Sequence, residues 1–344
     1  MTPMTAAELR ARAGRLPRAT LGHFPTPLEE LSRLSDSLGG PRIWIKRDDC
    51  TGLVFGGNKT RHNEFILGQA VDRGADTVVW GAGVQSNNCR QTAASCARLG
   101  LRCHLVLSTA DHSTEVQGNL LLDYIVGAAV EFTDIPLSPK LWEHIGGIAE
   151  RFRAQGRQTF AINDPIVRPA GAVSYVVGIA ELQEQLDARD VTPDAIYVCS
   201  CGITGAGMIL GKKLLAISCP VIAVMPIVWP GDNHAMLADI GNRAAALLGF
   251  DACLTRDDVT LTAEFLGPGY GHPSPAGMEA TRLLAQTEGI LLDPVYTAKA
   301  FAALIADIRA GKFRRGQNVI FVHTGGTPAL FAYQREFAAE FGPN

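Results

Sequence analysis

The chain has 344 residues, with 31 basic and 34 acidic side chains and a formal net charge of −3. This balanced charge, with no basic cluster longer than Lys312–Arg315, argues against a nucleic-acid partner. One long uncharged stretch, residues 214–231, contains three prolines, so it predicts a buried strand with loops and no membrane span.

The N-terminal segment and the cysteines predict the compartment. Residues 1–18 carry five charged side chains and no apolar run, so they do not resemble a secretion signal. The eight cysteines form no Cys-x-x-Cys pair. We therefore expect a cytoplasmic protein with reduced thiols. No His-x-x-x-His or cysteine–histidine cluster is present, and we assign no metal.

Short apolar runs alternate along the chain with segments of helical periodicity. The runs predicted as strands are Ile43–Ile45, Thr77–Trp80, His104–Leu107, Ala195–Cys199, Val221–Val224 and Val319–Val322. The segments predicted as helices are Thr92–Leu99, Gly178–Leu186, Met208–Leu215, Ala276–Thr287 and Ala298–Arg309. Continuous apolar strands are typical of sheets that are buried on both faces, so the alternation predicts an α/β fold with mainly parallel sheets.

The first candidate site is the glycine-rich segment Phe55–Arg61. A lysine on its own is usually a solvated surface charge. Lys59, however, follows Gly56 and Gly57 in a turn, and lysine is the residue that forms Schiff bases with aldehydes. Both interpretations stay open on these residues alone.

The second candidate site, Gly81–Asn88, lies between a predicted strand and a predicted helix. Ser86, Asn87 and Asn88 are all good helix N-caps. A single cap needs only one such side chain, so the group could instead hold a carboxylate at the helix N-terminus.

The third candidate site, Gly202–Gly207, follows the predicted strand Ala195–Cys199 and precedes a predicted helix. Such a loop is either a tight turn or a phosphate-binding loop, in which Thr204 adds a hydroxyl donor. A phosphate loop together with a lysine in a glycine-rich turn indicates pyridoxal phosphate as the cofactor.

Five motifs follow one another within residues 24–333. They are Gly56-Gly57-Asn58-Lys59-Thr60-Arg61, Gln85-Ser86-Asn87, Pro268-Gly269-Tyr270-Gly271, Asp293-Pro294-Val295-Tyr296, and His323-Thr324-Gly325-Gly326 with Pro328-Ala329-Leu330. In this order they resemble the motifs of the aminocyclopropane-carboxylate deaminase and D-cysteine desulfhydrase family.

The resemblance implies a fold-type-II pyridoxal-phosphate enzyme similar to the β subunit of tryptophan synthase. Such an enzyme has two domains whose mainly parallel, twisted sheets are flanked by helices. The implied large domain comprises residues 1–61 and 171–344, and the implied small domain is the insertion 62–170. The cofactor is expected between the domains, and the active protein is expected to be a homodimer.

The resemblance also implies a role for each residue of the motifs. Lys59 is expected to form the Schiff base and to act as general base, while Tyr270 and Tyr296 line the reacting face. Ser86, with a catalytic role, is expected to meet the substrate carboxylate together with Asn87 and Asn88. The further cofactor contacts are Asn58, Asn87 at the phenolic oxygen, the phosphate-binding residues Gly202, Ile203, Thr204 and Gly205, and a hydroxyl of Thr297 or Thr324 at the pyridine nitrogen.

Residue 297 distinguishes reactions within the family. The ring-opening deaminases usually carry a glutamate there, which can protonate the pyridine nitrogen, whereas this chain has Thr297. A neutral hydroxyl suits expulsion of a good β-leaving group. The resemblance is therefore closest to the D-cysteine desulfhydrase branch, which releases pyruvate, ammonia and sulfide. Elimination of sulfite from L-cysteate fits the motifs equally well.

Several loops depart from the family pattern. His62 stands where the family commonly has lysine, and Pro165-Ile166-Val167 replaces a Gly-Gly-Ser segment. We hypothesise that Arg168, with the loop Val228–His234, adapts the site to a substrate with a second anionic group, because arginine pairs with carboxylate or sulfonate. An exposed surface arginine is the alternative.

Other functions stay open. The first alternative is deamination of aminocyclopropane carboxylate, followed by a specialised β-replacement or racemising role. A non-catalytic protein that only binds the cofactor or an amino acid is the least favoured alternative, because Lys59, Ser86, Tyr270 and Tyr296 are all present.

Overall fold

The structure is a computed structural model that describes residues 3–110, 113–251 and 254–342. The helices in these ranges are α1 (Ala6–Ala13), α2 (Ser32–Leu38), α3 (Asn58–Asp72), α4 (Asn87–Leu99), α5 (Gly118–Ile125), α6 (Pro139–Ala154), α7 (Val167–Asp187), α8 (Ile203–Leu214), α9 (Asn233–Leu247), α10 (Pro275–Glu288), α11 (Thr297–Arg309) and α12 (Gln334–Phe341). The strands are β1 (Leu28–Glu30), β2 (Arg42–Lys46), β3 (Thr77–Gly83), β4 (Arg102–Ser108), β5 (Ala129–Thr133), β6 (Thr159–Ala161), β7 (Ala195–Cys199), β8 (Val221–Val224), β9 (Thr260–Thr262) and β10 (Asn318–Val322). Short 3-10 helices cover Asp48–Cys50, Arg256–Asp258 and Thr327–Ala332.

The strands form two sheets. The larger sheet has six strands in the order β1-β2-β10-β7-β8-β9, and the smaller has four in the order β5-β4-β3-β6. Only the edge strand β1 pairs antiparallel among these strands; every other pair is parallel. The prediction of an α/β fold with mainly parallel sheets is confirmed.

The central strand β7 shows why the strands are continuously apolar. All five of its residues are buried. Because side chains alternate along a strand, Ile196 and Val198 enter one core cluster. The other three residues of the strand, Ala195, Tyr197 and Cys199, enter a second cluster on the other face. The first cluster also contains Trp80 of β3, so it extends from the large sheet to the small one. Helices cover both faces of the sheet. A strand that alternated polar and apolar residues would therefore bury polar side chains on one face.

The strands of the small sheet lie between Thr77 and Ala161, inside the segment 62–170 that we predicted as an inserted domain. The two predicted domain boundaries fall within α3 and α7, which pack against each other. The division into two domains at these residues stays a prediction. Among the described residues, no helix is long and apolar enough to cross a membrane.

Candidate active site

Three of the predicted site loops follow the carboxyl ends of parallel strands. Ser86 comes shortly after β3, Gly202 shortly after β7, and Thr324 shortly after β10. Strands β7 and β10 are paired neighbours, so their two loops lie side by side. Carboxyl ends of parallel strands are where α/β proteins place their ligands.

The turn before Lys59 depends on two glycines. Gly56 has φ +62°, and a Cβ atom there would lie 2.0 Å from the carbonyl oxygen of Asp49. Gly57, with φ +127°, precedes α3 and exchanges hydrogen bonds with the hydroxyl of Thr51 at 2.7 and 3.0 Å. Side chains at either position would force this turn to open. The glycines therefore determine where α3, and with it Lys59, begins.

Lys59 lies in the first turn of α3 and is only half-buried by its neighbours. Its Nζ atom donates a hydrogen bond to Asn58 Oδ1 at 3.2 Å. Burial lowers the pKa of Lys59 to about 8, because the surroundings solvate an ammonium ion poorly. A neutral amine is therefore readily available at this position, as both Schiff-base formation and proton abstraction require.

Asn58 connects Lys59 to the loops after β7 and β10. Its backbone N–H donates to the carbonyl of Thr324 at 3.0 Å, and its Nδ2 atom donates to Thr204 Oγ1 at 3.0 Å. Thr204 Oγ1 also lies 3.0 Å from Nε2 of the buried His62. Three of the residues predicted to bind the cofactor, Asn58, Lys59 and Thr204, thus belong to one hydrogen-bonded group.

The N-terminus of α8 has the features of an anion site. The hydroxyl of Ser200 accepts the N–H of Gly205 at 2.8 Å, while the first-turn amides of Ile203 and Thr204 donate to no group in the described part of the chain. Around Gly202, no atom lies within 4 Å of the position that a Cβ would occupy. The two amides and the open space beside them suit a phosphate group.

Ser86 is the N-cap of α4, as one of the two sequence interpretations held. Its Oγ atom accepts the N–H groups of Asn88 at 3.2 Å and Cys89 at 3.1 Å. These bonds use the two lone pairs of the hydroxyl, so its proton stays available as a donor. The cap is therefore compatible with the second interpretation, in which Ser86 donates to a substrate carboxylate. Asn88 is half-buried in the same helical turn.

The hydroxyls of Tyr270 and Tyr296 meet at 2.5 Å, with the rings edge to face. Burial raises the pKa of both tyrosines, so both are protonated at neutral pH. The loop before Tyr270 is held by Lys299, whose Nζ atom donates to the carbonyls of Leu266 at 2.7 Å and Gly269 at 2.8 Å. The structure therefore brings together the two predicted tyrosines.

The two threonines predicted near the pyridine nitrogen differ in their hydrogen bonds. Thr297 is fully buried, and its hydroxyl donates to Asp293 Oδ1 at 2.7 Å and accepts the N–H of Asp293 at 2.8 Å. The Thr324 hydroxyl, in contrast, has no hydrogen-bond partner among the described residues. Thr324 therefore has the hydroxyl that can still bind a ligand.

Arg168 lies in the first turn of α7 and is exposed. Its guanidinium makes no hydrogen bond or ion pair with any residue that the structure describes. The structure thus does not join Arg168 to the other predicted site residues by a hydrogen bond.

Four residues that contact the site residues were missed from the sequence: His62 beside Thr204, Asp293 beside Thr297, Lys299 behind Tyr270, and Asn119 beside Asn87. Asn119 Nδ2 donates to Asn87 Oδ1 at 3.0 Å. Asp293 had a detectable signal, because an aspartate in a turn commonly accepts the backbone N–H two residues further on, as Asp293 does from Val295 at 3.0 Å. The other three contacts are tertiary and leave no local pattern.

The residues of the site fit pyridoxal phosphate. The amides at α8 suit the phosphate, the Lys59 amine suits the aldehyde, and the unused Nδ2 of Asn87 suits the phenolic oxygen. The Thr324 hydroxyl supplies a neutral partner for the ring nitrogen.

Comparisons with known proteins agree with this fit. Residues 19–325 match the family described as pyridoxal-phosphate dependent enzyme. A D-cysteine desulfhydrase of Klebsiella pneumoniae (strain 342) is 39% identical over 323 residues, which are 93% of this chain and 97% of the relative. A D-cysteine desulfhydrase of Serratia proteamaculans (strain 568) is 37% identical over 330 residues, covering 94% of this chain and 98% of the relative.

A solved structure agrees as well. The crystal structure of an ACC deaminase homologue superimposes with a TM-score of 0.88 at 33% sequence identity, covering 96% of this chain and 98% of that one. This similarity confirms the predicted fold-type-II architecture. The chain belongs to the pyridoxal-phosphate dependent enzymes, and pyridoxal phosphate is its cofactor.

Proposed function

We propose that this enzyme is a lyase that catalyses deaminating β-elimination on a small amino acid, with D-cysteine as the first candidate substrate. The observation that carries the proposal is the hydrogen-bonded group in which Asn58 joins Lys59 to Thr204. It places an amine of lowered pKa beside an anion site at the start of α8. The similarity to D-cysteine desulfhydrases supports the choice of substrate.

Elimination from D-cysteine breaks the bond from Cα to hydrogen and the bond from Cβ to sulfur. One water is then consumed, and the products are pyruvate, ammonia and hydrogen sulfide. When bound, pyridoxal phosphate withdraws the electrons left on Cα. The residues of this chain must therefore bind the amino acid, accept the α-proton and protonate the departing sulfur.

Lys59 is proposed as the base for the α-proton. With a pKa of about 8, about a tenth of its amines is unprotonated at pH 7. An unperturbed lysine would be almost entirely protonated there. Burial beside Asn58 thus makes Lys59 a usable base.

Ser86 and Asn88 are proposed to bind the substrate carboxylate. The Ser86 hydroxyl keeps its proton as a donor, and the helix dipole of α4 favours an anion in its first turn. Tyr270 and Tyr296 stay protonated, so they act as donors and not as bases at neutral pH. Their shared hydrogen bond can supply a proton to the departing sulfur.

The ring nitrogen of the cofactor is proposed to meet the unused hydroxyl of Thr324, and Thr297 is the other residue predicted near it. Both side chains are neutral. A neutral partner leaves the ring nitrogen unprotonated, which suits a good leaving group better than ring opening. Thr297 in place of glutamate therefore favours elimination over deamination of aminocyclopropane carboxylate.

Deamination of aminocyclopropane carboxylate is the second candidate function, since the ACC deaminase homologue shares the fold at 33% identity. We further propose a homodimer in the cytoplasm. The family resemblance supports the dimer, and the low cysteine content supports a reducing compartment.

Product analysis tests the proposal. Purified protein loaded with pyridoxal phosphate is given D-cysteine, L-cysteine, L-cysteate or aminocyclopropane carboxylate, and sulfide, sulfite and 2-oxo acids are measured. We expect pyruvate and sulfide in equal amounts from D-cysteine. A four-carbon 2-oxo acid from aminocyclopropane carboxylate, with no sulfide from either cysteine, would overturn the proposed reaction.

A further inference from the structure

Asn119, the second residue of α5, is fully buried next to the turn that carries Ser86 and Asn87. Its Nδ2 atom donates to the backbone carbonyl of Gln85 at 2.7 Å and to Asn87 Oδ1 at 3.0 Å. Its backbone N–H donates to Gln85 Oε1 at 2.9 Å. Three hydrogen bonds thus join the start of α5 to this turn.

The hydrogen bonds define which way both amides point. A backbone carbonyl can only accept, so the Asn119 atom that faces Gln85 must be the Nδ2 donor. The Asn87 atom that faces the same Nδ2 must then be the Oδ1 acceptor. As a result, the Nδ2 donor of Asn87 is turned away from α5 and has no partner among the described residues.

The backbone of this segment leaves little room for another arrangement. Gly118 has φ +53°, and a Cβ atom there would lie 2.5 Å from Gln85 Oε1 and 3.1 Å from the carbonyl of Pro328. The start of α5 therefore fits between the Gln85 turn and the 3-10 helix Thr327–Ala332. The position of Asn119 is held from both sides.

The hydrogen bonds of Asn119 come at a cost to the fold, because its Oδ1 atom is buried and has no hydrogen-bond partner among the residues that the structure describes. A buried acceptor without a donor destabilises a protein. The side chain is therefore held by what it donates, and its Nδ2 atom donates to the turn of Gln85 and Asn87.

We propose that Asn119 is a positioning residue that orients the Asn87 amide, so that Nδ2 of Asn87 donates to the phenolic oxygen of pyridoxal phosphate. This inference rests on the proposed role of Asn87 in binding the cofactor. Asn119 itself does not touch the cofactor. It acts by excluding the flipped amide, which would present an acceptor to an oxygen that carries negative charge.

The test uses the cofactor's visible absorption, which changes with pH when the proton next to the phenolic oxygen is lost. A donor to that oxygen stabilises the deprotonated form and lowers the pH midpoint. In Asn119→Leu, we expect the pH midpoint of the absorption change to rise by about half to one pH unit, because one oriented hydrogen bond is lost. In Asn119→Asp, the carboxylate attracts the Nδ2 of Asn87 and we expect a larger rise.

Asn63→Leu is the matched control. Asn63 is also fully buried, and its Oδ1 likewise has no partner in the described part of the chain. Its Nδ2 atom donates to Ser95 at 3.1 Å and Thr92 at 3.4 Å, and neither is a predicted site residue. Its substitution should leave the midpoint unchanged. If Asn119→Leu does not fold, the Asn119→Asp variant decides.

The outcomes separate the two proposals. Asn87→Ala should raise the midpoint, as Asn119→Leu does. If Asn87→Ala raises it while both Asn119 variants keep the wild-type midpoint, Asn119 is not a positioning residue and the role of Asn87 stands. If Asn87→Ala has no effect either, the cofactor contact of Asn87 is wrong and the inference is overturned with it.

Discussion

Tyr270 Oη lies 2.5 Å from Tyr296 Oη, although 26 positions separate the two residues in the chain. Burial raises the pKa of both, so one hydroxyl donates to the other and the second proton is available to a ligand. Lys299 and Tyr333 hold the loop of Tyr270 through backbone carbonyls. The pair is therefore built as a proton donor with a fixed geometry.

Removal of either hydroxyl should impair turnover more than stability. For Tyr270→Phe and Tyr296→Phe we expect kcat with D-cysteine to fall about a hundredfold or more, as for the loss of a general acid. Stopped assays of sulfide release measure this effect. Tyr197→Phe is the control, because Tyr197 is also buried but donates to Asp307 outside the site. The donor role is wrong if both variants keep more than half of the wild-type kcat.

His62 should contribute to binding of the cofactor phosphate. Burial lowers the pKa of His62 well below its usual value, so the ring is neutral and donates from only one nitrogen. When Nε2 donates to Thr204 Oγ1, the threonine keeps its own proton for the phosphate. His62→Leu should therefore raise the Kd for pyridoxal phosphate roughly two- to tenfold.

Pyridoxal, which lacks the phosphate, provides the comparison for His62. Fluorescence titration measures the Kd of both aldehydes. The Kd for pyridoxal should be the same for the wild type and His62→Leu. An equal loss of affinity for both aldehydes would show that His62 supports the ring or the fold and not the phosphate contact.

Arg168 tests whether the site is adapted to a second anionic group. If its guanidinium pairs with a sulfonate, Arg168→Ala should lower kcat/KM for L-cysteate about tenfold relative to D-cysteine. Arg189→Ala is a suitable control, since Arg189 is exposed just beyond the other end of α7. An unchanged ratio of the two kcat/KM values would leave Arg168 as a surface residue, in keeping with its exposure.

Thr297→Glu should lower the stability of the protein. The buried carboxylate of Asp293 already accepts the N–H of Thr297 at 2.9 Å and its hydroxyl at 2.7 Å. A second carboxylate in this place would repel the first and lose a hydrogen bond, so we expect the free energy of unfolding to fall by about 2 kcal/mol. Urea denaturation measures this change, with Thr297→Ser as the control that keeps the hydroxyl. If Thr297→Glu is as stable as the wild type, Asp293 does not disfavour a second carboxylate at this position.

The central strands could be predicted from the sequence because burial on both faces makes them continuously apolar. The strands β2, β3, β4, β7, β8 and β10 were found in this way. The edge strand β5 was missed, since its residues are only partly buried and show no apolar run. The strands β1, β6 and β9 have three residues each, too few for a pattern.

The site was predictable where its residues are neighbours in the chain. Lys59 with its glycines, and Ser86 with the following helix, carry local signals of turn and cap. The contact of Asn119 with Asn87 joins two helices, and no local spacing encodes it. The sequence likewise could not show that the hydroxyl of Thr297 is bonded while that of Thr324 is unused. This difference depends on the orientation of the Asp293 carboxylate, which accepts the Thr297 hydroxyl.

Lys59 must bind the cofactor covalently if it is to act as proposed. The described residues include two other buried lysines of lowered pKa, Lys46 and Lys299, which are held by Glu181 and by backbone carbonyls respectively. The most direct measurement is borohydride reduction of the enzyme loaded with pyridoxal phosphate, followed by proteolysis and mass spectrometry. We predict that the reduced cofactor is attached to Lys59 and that Lys59→Arg carries none. Attachment to Lys46 or Lys299, or no attachment at all, would contradict this account.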